Sequence, residues 1–172
     1  MKKWTIFLSI ILLLIGAVNT GQLFLKRYNI SKMSKLLIIA IEDNDYDEVK
    51  IIIDKEPESI NSLPSMSPWF WQLITEQPSV SFPLQEACLW GRYDIVKLLL
   101  EKGADCNLVW KGINGSKSPL MCAVISNTEE SEAIIELLLQ QGANKTYIDE
   151  CGKSAYDYAV ESKNIVLQNM LK

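Results

Sequence analysis

The fold of this chain is indicated by two stretches with one common pattern, SFPLQEACLWGRYDIVKLLLEKGADCN (Ser81–Asn107) and KSPLMCAVISNTEESEAIIELLLQQGANKT (Lys117–Thr146). Each begins with Pro-Leu, has an alanine three residues after that leucine, and runs through three consecutive leucines to Gly-Ala. Repetition of this kind is typical of architectures in which each unit buries its apolar side against its neighbours. The chain is therefore expected to consist of stacked copies of one small unit.

Two weaker copies of the pattern flank this pair. LLIIAIEDNDYDEVKIIIDKEPESIN (Leu36–Asn61) precedes it, and GKSAYDYAVESKN, which starts at Gly152, follows it as a shortened unit. The leading apolar residue recurs at intervals of 47, 36 and 36 residues, at Leu37, Leu84, Leu120 and Tyr156. The long first interval predicts an insertion between the first two copies.

The repeated pattern resembles the ankyrin-repeat family. The residues that carry the resemblance are, in register, Pro83-Leu84, Ala87-Cys88, Gly91, Ile95-Val96, Leu98-Leu99-Leu100 and Gly103-Ala104-Asp105-Cys106-Asn107. The resemblance implies an all-α solenoid of helix-turn-helix units joined by short hairpin loops, with a concave face that binds other proteins. It also implies that the leucine triplets pack between units, so Leu99 and Leu138 are expected to be fully buried.

Some positions depart from the family pattern. Phe82 stands where the family has a threonine that caps the first helix. Gln85, Met121 and Asp157 stand where it has a histidine that braces the turn. The turns are therefore expected to be looser than in a consensus repeat.

The predicted fold class is an all-α ankyrin-repeat solenoid preceded by a single transmembrane helix. The chain then divides into seven segments. They are a transmembrane or signal-like helix at 1–25, a basic linker at 26–35, ankyrin repeat 1 at 36–64, a Pro/Trp-rich insertion at 65–81, repeat 2 at 82–116, repeat 3 at 117–149 and a C-terminal capping repeat at 150–172.

The N-terminal segment contains no charged residue from Trp4 to Leu25. At about 1.5 Å per residue, a helix of this length just crosses a hydrocarbon core of roughly 30 Å. It predicts single-pass membrane attachment through residues 4–25. The dense apolar part, residues 4–18, is also typical of a secretory signal, so a secreted or periplasmic location after cleavage stays open. Basic residues on both sides leave the membrane orientation undetermined.

The charge of the chain is distributed unevenly. Residues 1–35 carry six basic and no acidic residues, whereas the remainder carries 11 basic and 21 acidic ones. An acidic domain repels phosphate backbones, so the expected partner is a protein with a basic surface and not a nucleic acid. The chain has no histidine, which excludes Ser-His-Asp and Cys-His catalysis and every histidine-containing metal site.

The four cysteines form no C-x-x-C pair, so neither a zinc site nor a thioredoxin-like motif is expected. Cys88 and Cys122 fall on inner helix faces, and Cys106 replaces an apolar hairpin residue. These three are expected to be buried thiols, because a free cysteine behaves as a small apolar residue. Cys151 falls at a hairpin tip and is expected to be exposed.

The resemblance places the two residues after each small pair in the concave groove. These pairs are Glu42-Asp43, Leu89-Trp90, Ile125-Ser126 and Glu161-Ser162. The large apolar side chains of Leu89 and Trp90 are expected to be shielded from water, and two interpretations of how are open. The insertion folds back over them, or a partner protein binds them as a hot spot, flanked by the acidic Glu42 and Asp43.

Aromatic residues outside the repeats form a second set of candidate contacts. Trp69, Phe70 and Trp71 are adjacent in the Pro-rich insertion, and Trp110 and Lys111 lie in the enlarged second hairpin. Such aromatics suit a lid on the solenoid, a membrane interface or a protein contact patch. The sequence leaves the three open.

The resulting hypothesis is a membrane-tethered interaction module that acts as a scaffold, an adaptor or an inhibitor of the immunity type. It is expected to have no catalytic activity, no cofactor and no small-molecule substrate. The alternative is a self-associating structural envelope protein. Because a fold does not identify a partner, the binding residues have to be found in the tertiary structure.

Overall fold

A computed structural model of the chain describes residues 22–23, 25–63, 81–109 and 116–172. Regular structure in these ranges is helical throughout, and the first helix, α1, includes residues 25–42. A 3-10 turn lies at Pro57–Ser59, after the second helix. The later helices are α2 (Tyr46–Lys55), α3 (Pro83–Leu89), α4 (Tyr93–Glu101), α5 (Pro119–Ser126), α6 (Ser131–Gln140), α7 (Ala155–Glu161) and α8 (Ile165–Leu171).

The helices form two rows of a solenoid. Helices α3, α5 and α7 pack in one row, and α2, α4, α6 and α8 pack in the other. Within each repeat the two helices also contact each other, as α3 with α4, α5 with α6 and α7 with α8. We number the helix pairs units 1 to 4, with α1 and α2 as unit 1. The predicted all-α repeat architecture is confirmed.

The core runs between the two rows without interruption. Leu99 and Leu138, from the leucine triplets of units 2 and 3, are both fully buried, as predicted. Ala87, Ala123 and Ala159 are fully buried at the same position of the first helix in units 2 to 4. A larger side chain at this position would separate the packed helices, which accounts for the repeated alanine.

The asparagines at the ends of units 1 and 2 confirm the repeat register. The Asn61 side-chain nitrogen donates to the carbonyl of Gly103, and its oxygen accepts from the backbone N–H of Asp105, both at 3.0 Å. Asn107 makes the same pair of bonds one unit further on, with the carbonyl of Gly142 and the N–H of Asn144, at 3.1 and 2.8 Å. Each asparagine thus joins the end of its unit to the end of the next.

The expectation of loose turns is wrong at two positions. Gln85 accepts from the backbone N–H of Phe82 at 2.9 Å and donates to the carbonyl of Lys117. It therefore ties the start of α3 to the segment that enters unit 3. Asp157 accepts from the N–H and the hydroxyl of Ser154, at 2.7 and 2.6 Å. Glutamine and aspartate replace the bracing histidine because each places an acceptor at the helix start.

Residues 26–35 are helical and continuous with 36–42, so the expected linker is part of α1. Two contacts hold these additional turns against the segment that follows α2. Lys26 Nζ lies 2.6 Å from Glu58 Oε1, and the hydroxyl of Ser34 donates to the carbonyl of Ser62. The chain therefore enters unit 1 through a helix, whereas units 2 to 4 begin with their first helix at a proline or an alanine.

Most of the expected membrane anchor at 4–25 lies outside the described residues, which omit 1–21 and 24. In the part of the chain that the structure describes, no helix is long and apolar enough to cross a membrane. The predicted single-pass membrane localisation is corrected on this finding and is not retained. The helix closest to the expected span, α1, carries charges that a lipid core disfavours, at Lys26, Arg27, Lys32, Lys35 and Glu42.

Candidate binding surface

The turns between the two helices of each unit line up along one side of the solenoid. Arg92 Nη2 donates to the carbonyl of Glu42 at 3.2 Å, which links the turns of units 1 and 2. Asn164 Nδ2 donates to Asn127 Oδ1 at 3.1 Å, which links the turns of units 3 and 4. We call this surface the turn edge and define it as residues 42–48, 90–94, 127–132 and 161–164.

The turns of units 2 and 3 meet at a glycine. Gly91 has a φ of +65°, and a Cβ at this position would clash with Thr128 Oγ1. Thr128 is held in place because its backbone N–H donates to the Ser131 hydroxyl at 2.9 Å. Glycine is therefore required at this position for two reasons, the positive φ of the backbone and the close approach of unit 3.

The exposed apolar residues at and next to the turns of units 2 and 3 include Leu89 at 42%, Trp90 at 48% and Ile125 at 37%. We call these three the apolar patch. Leu89 and Ile125 occupy equivalent positions near the ends of α3 and α5, which pack against each other. The preceding residues of α3, Pro83–Cys88, are all buried. The patch therefore begins where the buried face of the helix ends.

The backbone under the patch is fixed. The N–H of Trp90 donates to the carbonyl of Glu86 at 2.9 Å, and the N–H of Arg92 donates to the carbonyl of Ala87 at 2.9 Å. These bonds close the C-terminal turn of α3 on both sides of Gly91. A partner that contacts Trp90 therefore meets a side chain on an ordered backbone, which lowers the entropy cost of binding.

The turn edge is strongly acidic. It holds ten acidic residues, all exposed, and two basic residues, Arg92 and Lys163. Glu42 and Asp43 lie on the unit 1 side of the patch, and Glu129 and Glu130 lie on the unit 3 side. Charges of one sign grouped around an apolar patch attract a partner of the opposite sign and raise the rate of encounter.

The structure describes four of the nine predicted binding residues, Glu42, Asp43, Leu89 and Trp90, and all four are exposed. Trp69, Phe70, Trp71, Trp110 and Lys111 lie outside the described residues. Sequence reasoning did not single out Arg92 or Thr128. Their contacts join turns that are 50 and 37 residues apart in the chain, and no local pattern encodes such a pairing.

A second cluster of polar groups, around Asp149 in the hairpin before α7, is structural. Tyr158 donates its hydroxyl to Asp149 Oδ2 at 2.5 Å, and the N–H groups of Cys151 and Lys153 donate to Oδ1 at 2.9 and 3.0 Å. Burial opposes ionisation of this carboxyl, but the hydrogen bonds outweigh it and lower the pKa of Asp149. Every oxygen of the carboxylate is occupied, so the cluster stabilises the hairpin.

The cysteines are placed as the pattern predicted. Cys88, Cys106 and Cys122 are buried and Cys151 is exposed. Burial raises the pKa of the Cys88 and Cys122 thiols, that of Cys122 to about 12, so both are protonated and unreactive at neutral pH. Across the described ranges, no three Cys, Asp or Glu side chains are grouped so as to hold a metal ion.

Comparison with known proteins agrees with this architecture. A family model described as ankyrin repeats in three copies matches residues 10–109, and a single ankyrin-repeat model matches residues 117–150. The chain belongs to the ankyrin-repeat family. Ankyrin repeats indicate a protein–protein interaction module, and proteins of this family are generally not catalytic.

Two curated relatives are much longer than this chain. An ankyrin repeat protein of Acanthamoeba polyphaga mimivirus is 28% identical over 133 residues, which cover 73% of this chain and 22% of that protein. The ankyrin repeat and SOCS box protein 11 of Mus musculus is 37% identical over 92 residues, which cover 52% of this chain and 26% of that protein. The chain thus spans about a quarter of the length of these relatives.

Proposed function

We propose that the chain is a non-catalytic binding module whose turn edge holds a basic segment of another protein. The observation that carries the proposal is the apolar patch, Leu89, Trp90 and Ile125, exposed on well-packed helices and surrounded by acidic side chains. In this role the chain is a scaffold, an adaptor or an inhibitor that blocks a surface of its partner. No chemical step is required of it.

The apolar patch supplies the affinity in this proposal. Tryptophan is enriched among the residues that dominate binding energies, because its large side chain is desolvated when a partner covers it. Leu89 and Trp90 are adjacent in the chain and both exposed, so an apolar side chain of a partner can contact both. The partner therefore presents at least one apolar anchor.

The acidic residues supply selectivity and speed. Exposed charges contribute little net binding energy, because water and salt screen them, but they steer the approach of a partner. The ten acidic residues of the turn edge favour lysine and arginine around the partner's anchor. The same charges repel acidic segments with an identical apolar pattern.

Two synthetic helical peptides of identical apolar pattern test this proposal. One carries lysine and the other glutamate at every position that is not apolar. We expect the full chain to bind the lysine peptide, with an association rate that falls as salt rises, and to reject the glutamate peptide. Fluorescence anisotropy of a labelled peptide measures both affinities at low and physiological salt. Equal binding of both peptides would contradict the proposal.

Two substitutions distinguish the contribution of the apolar patch to binding from that of the acidic residues of the turn edge. Trp90→Ala is expected to weaken binding of the lysine peptide by about 30-fold, equivalent to about 2 kcal/mol. Glu42→Lys is expected mainly to slow association and reduce its salt dependence. Ile148→Ala, at an exposed isoleucine in the hairpin before α7, is the matched control and leaves binding unchanged. A Trp90→Ala protein with a lower melting temperature and unchanged affinity would show that Trp90 has an internal cover instead.

A further inference from the structure

The N-terminal end of the solenoid exposes an apolar residue at a position that is buried in every later unit. Leu36 is 41% exposed, whereas the equivalent Pro83, Pro119 and Ala155 are buried. Ala155 is buried in unit 4 although no further unit is described after it, so the burial at this position does not come from a following unit. It comes from the preceding one, which unit 1 lacks among the described residues.

Two more residues of unit 1 share this exposure. Ile39 is 43% exposed although the equivalent Glu86 and Cys122 are buried, and Ile51 is 59% exposed although the equivalent Leu98 is buried. With Leu36 these residues form what we call the N-terminal end face. It consists of stacking positions that have kept apolar side chains without a described unit to stack on.

The opposite end of the solenoid is closed with more polar residues. Gln168 occupies the position at which units 2 and 3 bury Val96 and Ile135. Val160 is exposed in unit 4, as are Ile165 and Val166 on α8. A polar residue at a stacking position suits a unit with no described neighbour on that side. At the N-terminal end face, Glu48 is a polar replacement of this kind, at the position equivalent to the buried Ile95. The stacking positions at Leu36, Ile39 and Ile51 remain apolar.

Helix α1 extends the N-terminal end face towards the N-terminus. Its inward side buries Ser34 and Leu37. Its outward side carries exposed residues at spacings of three and four, which place them on one helix face. These outward residues are Leu25, Tyr28, Lys32, Lys35, Leu36 and Ile39.

This face has a basic end and an acidic end. Residues 25–35 of α1 carry four basic residues and no acidic one, whereas the stretch 42–48 at its other end carries five acidic residues. Lys35 and Glu42 are seven residues apart, close to two helical turns, so they lie on the same side of the face. A helix with this charge distribution is complementary to an antiparallel copy of itself.

We propose that the N-terminal end face binds a second copy of this chain, with the two α1 helices antiparallel about a two-fold axis near Ile39. Leu36 and Ile39 of the two copies then lie against each other, and Lys35 of one copy lies opposite Glu42 of the second copy. A two-fold contact uses the same surface on both copies and closes at a dimer. The contact does not include the apolar patch around Trp90, but Glu42 belongs both to it and to the turn edge. Ile39 lies outside the turn edge, so Ile39→Glu separates the dimer from the proposed function.

Sedimentation velocity of the full chain from about 1 to about 100 µM tests the dimer. We expect a concentration-dependent dimer, and we expect Ile39→Glu to raise its dissociation constant at least about tenfold, because the charge enters the centre of the contact. Ile39 is already exposed in the single chain, so this substitution leaves the fold intact. Ile148→Glu is the matched control, since Ile148 is exposed outside the face, and it leaves the dimer unchanged.

A charge exchange tests the antiparallel arrangement. Lys35→Glu and Glu42→Lys are each expected to weaken the dimer, and the double variant is expected to restore it, because the pair is then reversed in both copies. A chain that stays monomeric at all concentrations would overturn the proposal, as would assembly that resists both Ile39→Glu and Lys35→Glu. A double variant weaker than either single one would overturn it too. Binding of the lysine peptide by a monomeric Ile39→Glu protein would leave the proposed function standing whichever result is found.

Discussion

Leu99 and Leu89 belong to the two helices of the same unit, yet Leu99 is 0% exposed and Leu89 is 42% exposed. Leu99 lies in the row of second helices, between α2 and α6, which pack on α4 from both sides. Leu89 lies at the end of α3 beside the turn edge, where the helices stop and no described element continues. The two leucines show that the same side chain is buried in the core in one place and exposed at the proposed binding surface in the other.

This comparison leads to a general expectation. Substitutions in the interior of units 2 and 3 change the free energy of unfolding, whereas substitutions in the apolar patch change affinity for a partner. The following predictions test that division, beginning with the largest expected change in stability.

Leu99→Ala is expected to lower the free energy of unfolding by about 2–5 kcal/mol, through lost apolar burial and the cavity that remains. Leu138→Ala, at the equivalent position of unit 3, is expected to lower the free energy of unfolding by a similar amount. Urea unfolding followed by circular dichroism measures both. A loss below about 1 kcal/mol at either position would mean that the repeat register is wrong.

Gly91→Ala is expected to cost about 1–3 kcal/mol, because an alanine is strained at a φ of +65° and its Cβ meets Thr128. Gly91→Ala combined with Thr128→Ala separates the two causes. The double variant is expected to recover the steric part and to retain the cost of the backbone conformation. Complete recovery would show that the positive φ carries no cost, and no recovery would show that Thr128 moves away freely.

Asp149→Asn tests the interior polar contacts as a function of pH. The folded state lowers the pKa of Asp149 below 3.8, so its stabilising contribution is present above that pH and is lost as the pH falls through the lowered value. Wild type is therefore expected to lose more stability than Asp149→Asn between pH values of about 5 and 2. Urea midpoints for both proteins across this range measure the difference. If the urea midpoints of the two proteins changed in parallel with pH, the lowered pKa of Asp149 in the folded state would be contradicted.

Trp90→Ala is expected to change the free energy of unfolding by less than about 0.5 kcal/mol, as for an exposed residue. This is the smallest effect of the series, although the substitution removes more atoms than Leu99→Ala. Thermal unfolding monitored by circular dichroism measures it. A cost comparable with that of Leu99→Ala would remove the distinction between the interior and the apolar patch.

The interior of the repeats was predictable because its signal is local and repeated. The Pro-Leu starts, the small residue and the leucine triplets recur in register, so the burial of Leu99 and Leu138 followed from the pattern. The expected looseness of the turns was wrong at Gln85 and Asp157, because the absence of the family histidine does not imply the absence of a bracing hydrogen bond. Gln85 restores that contact with the Lys117 carbonyl, which lies 32 residues away in the chain.

The sequence by itself determined the solenoid and its acidic character, because hydrophobic periodicity and charge are properties of the chain. Only the tertiary structure decided which apolar residues remain uncovered. Leu36, Ile39 and Ile51 have the same character as core residues, and they are exposed because no described unit precedes them. Exposure depends on the presence of a neighbour, and the chain packs its neighbours through contacts such as Arg92 with Glu42 that join residues distant in sequence.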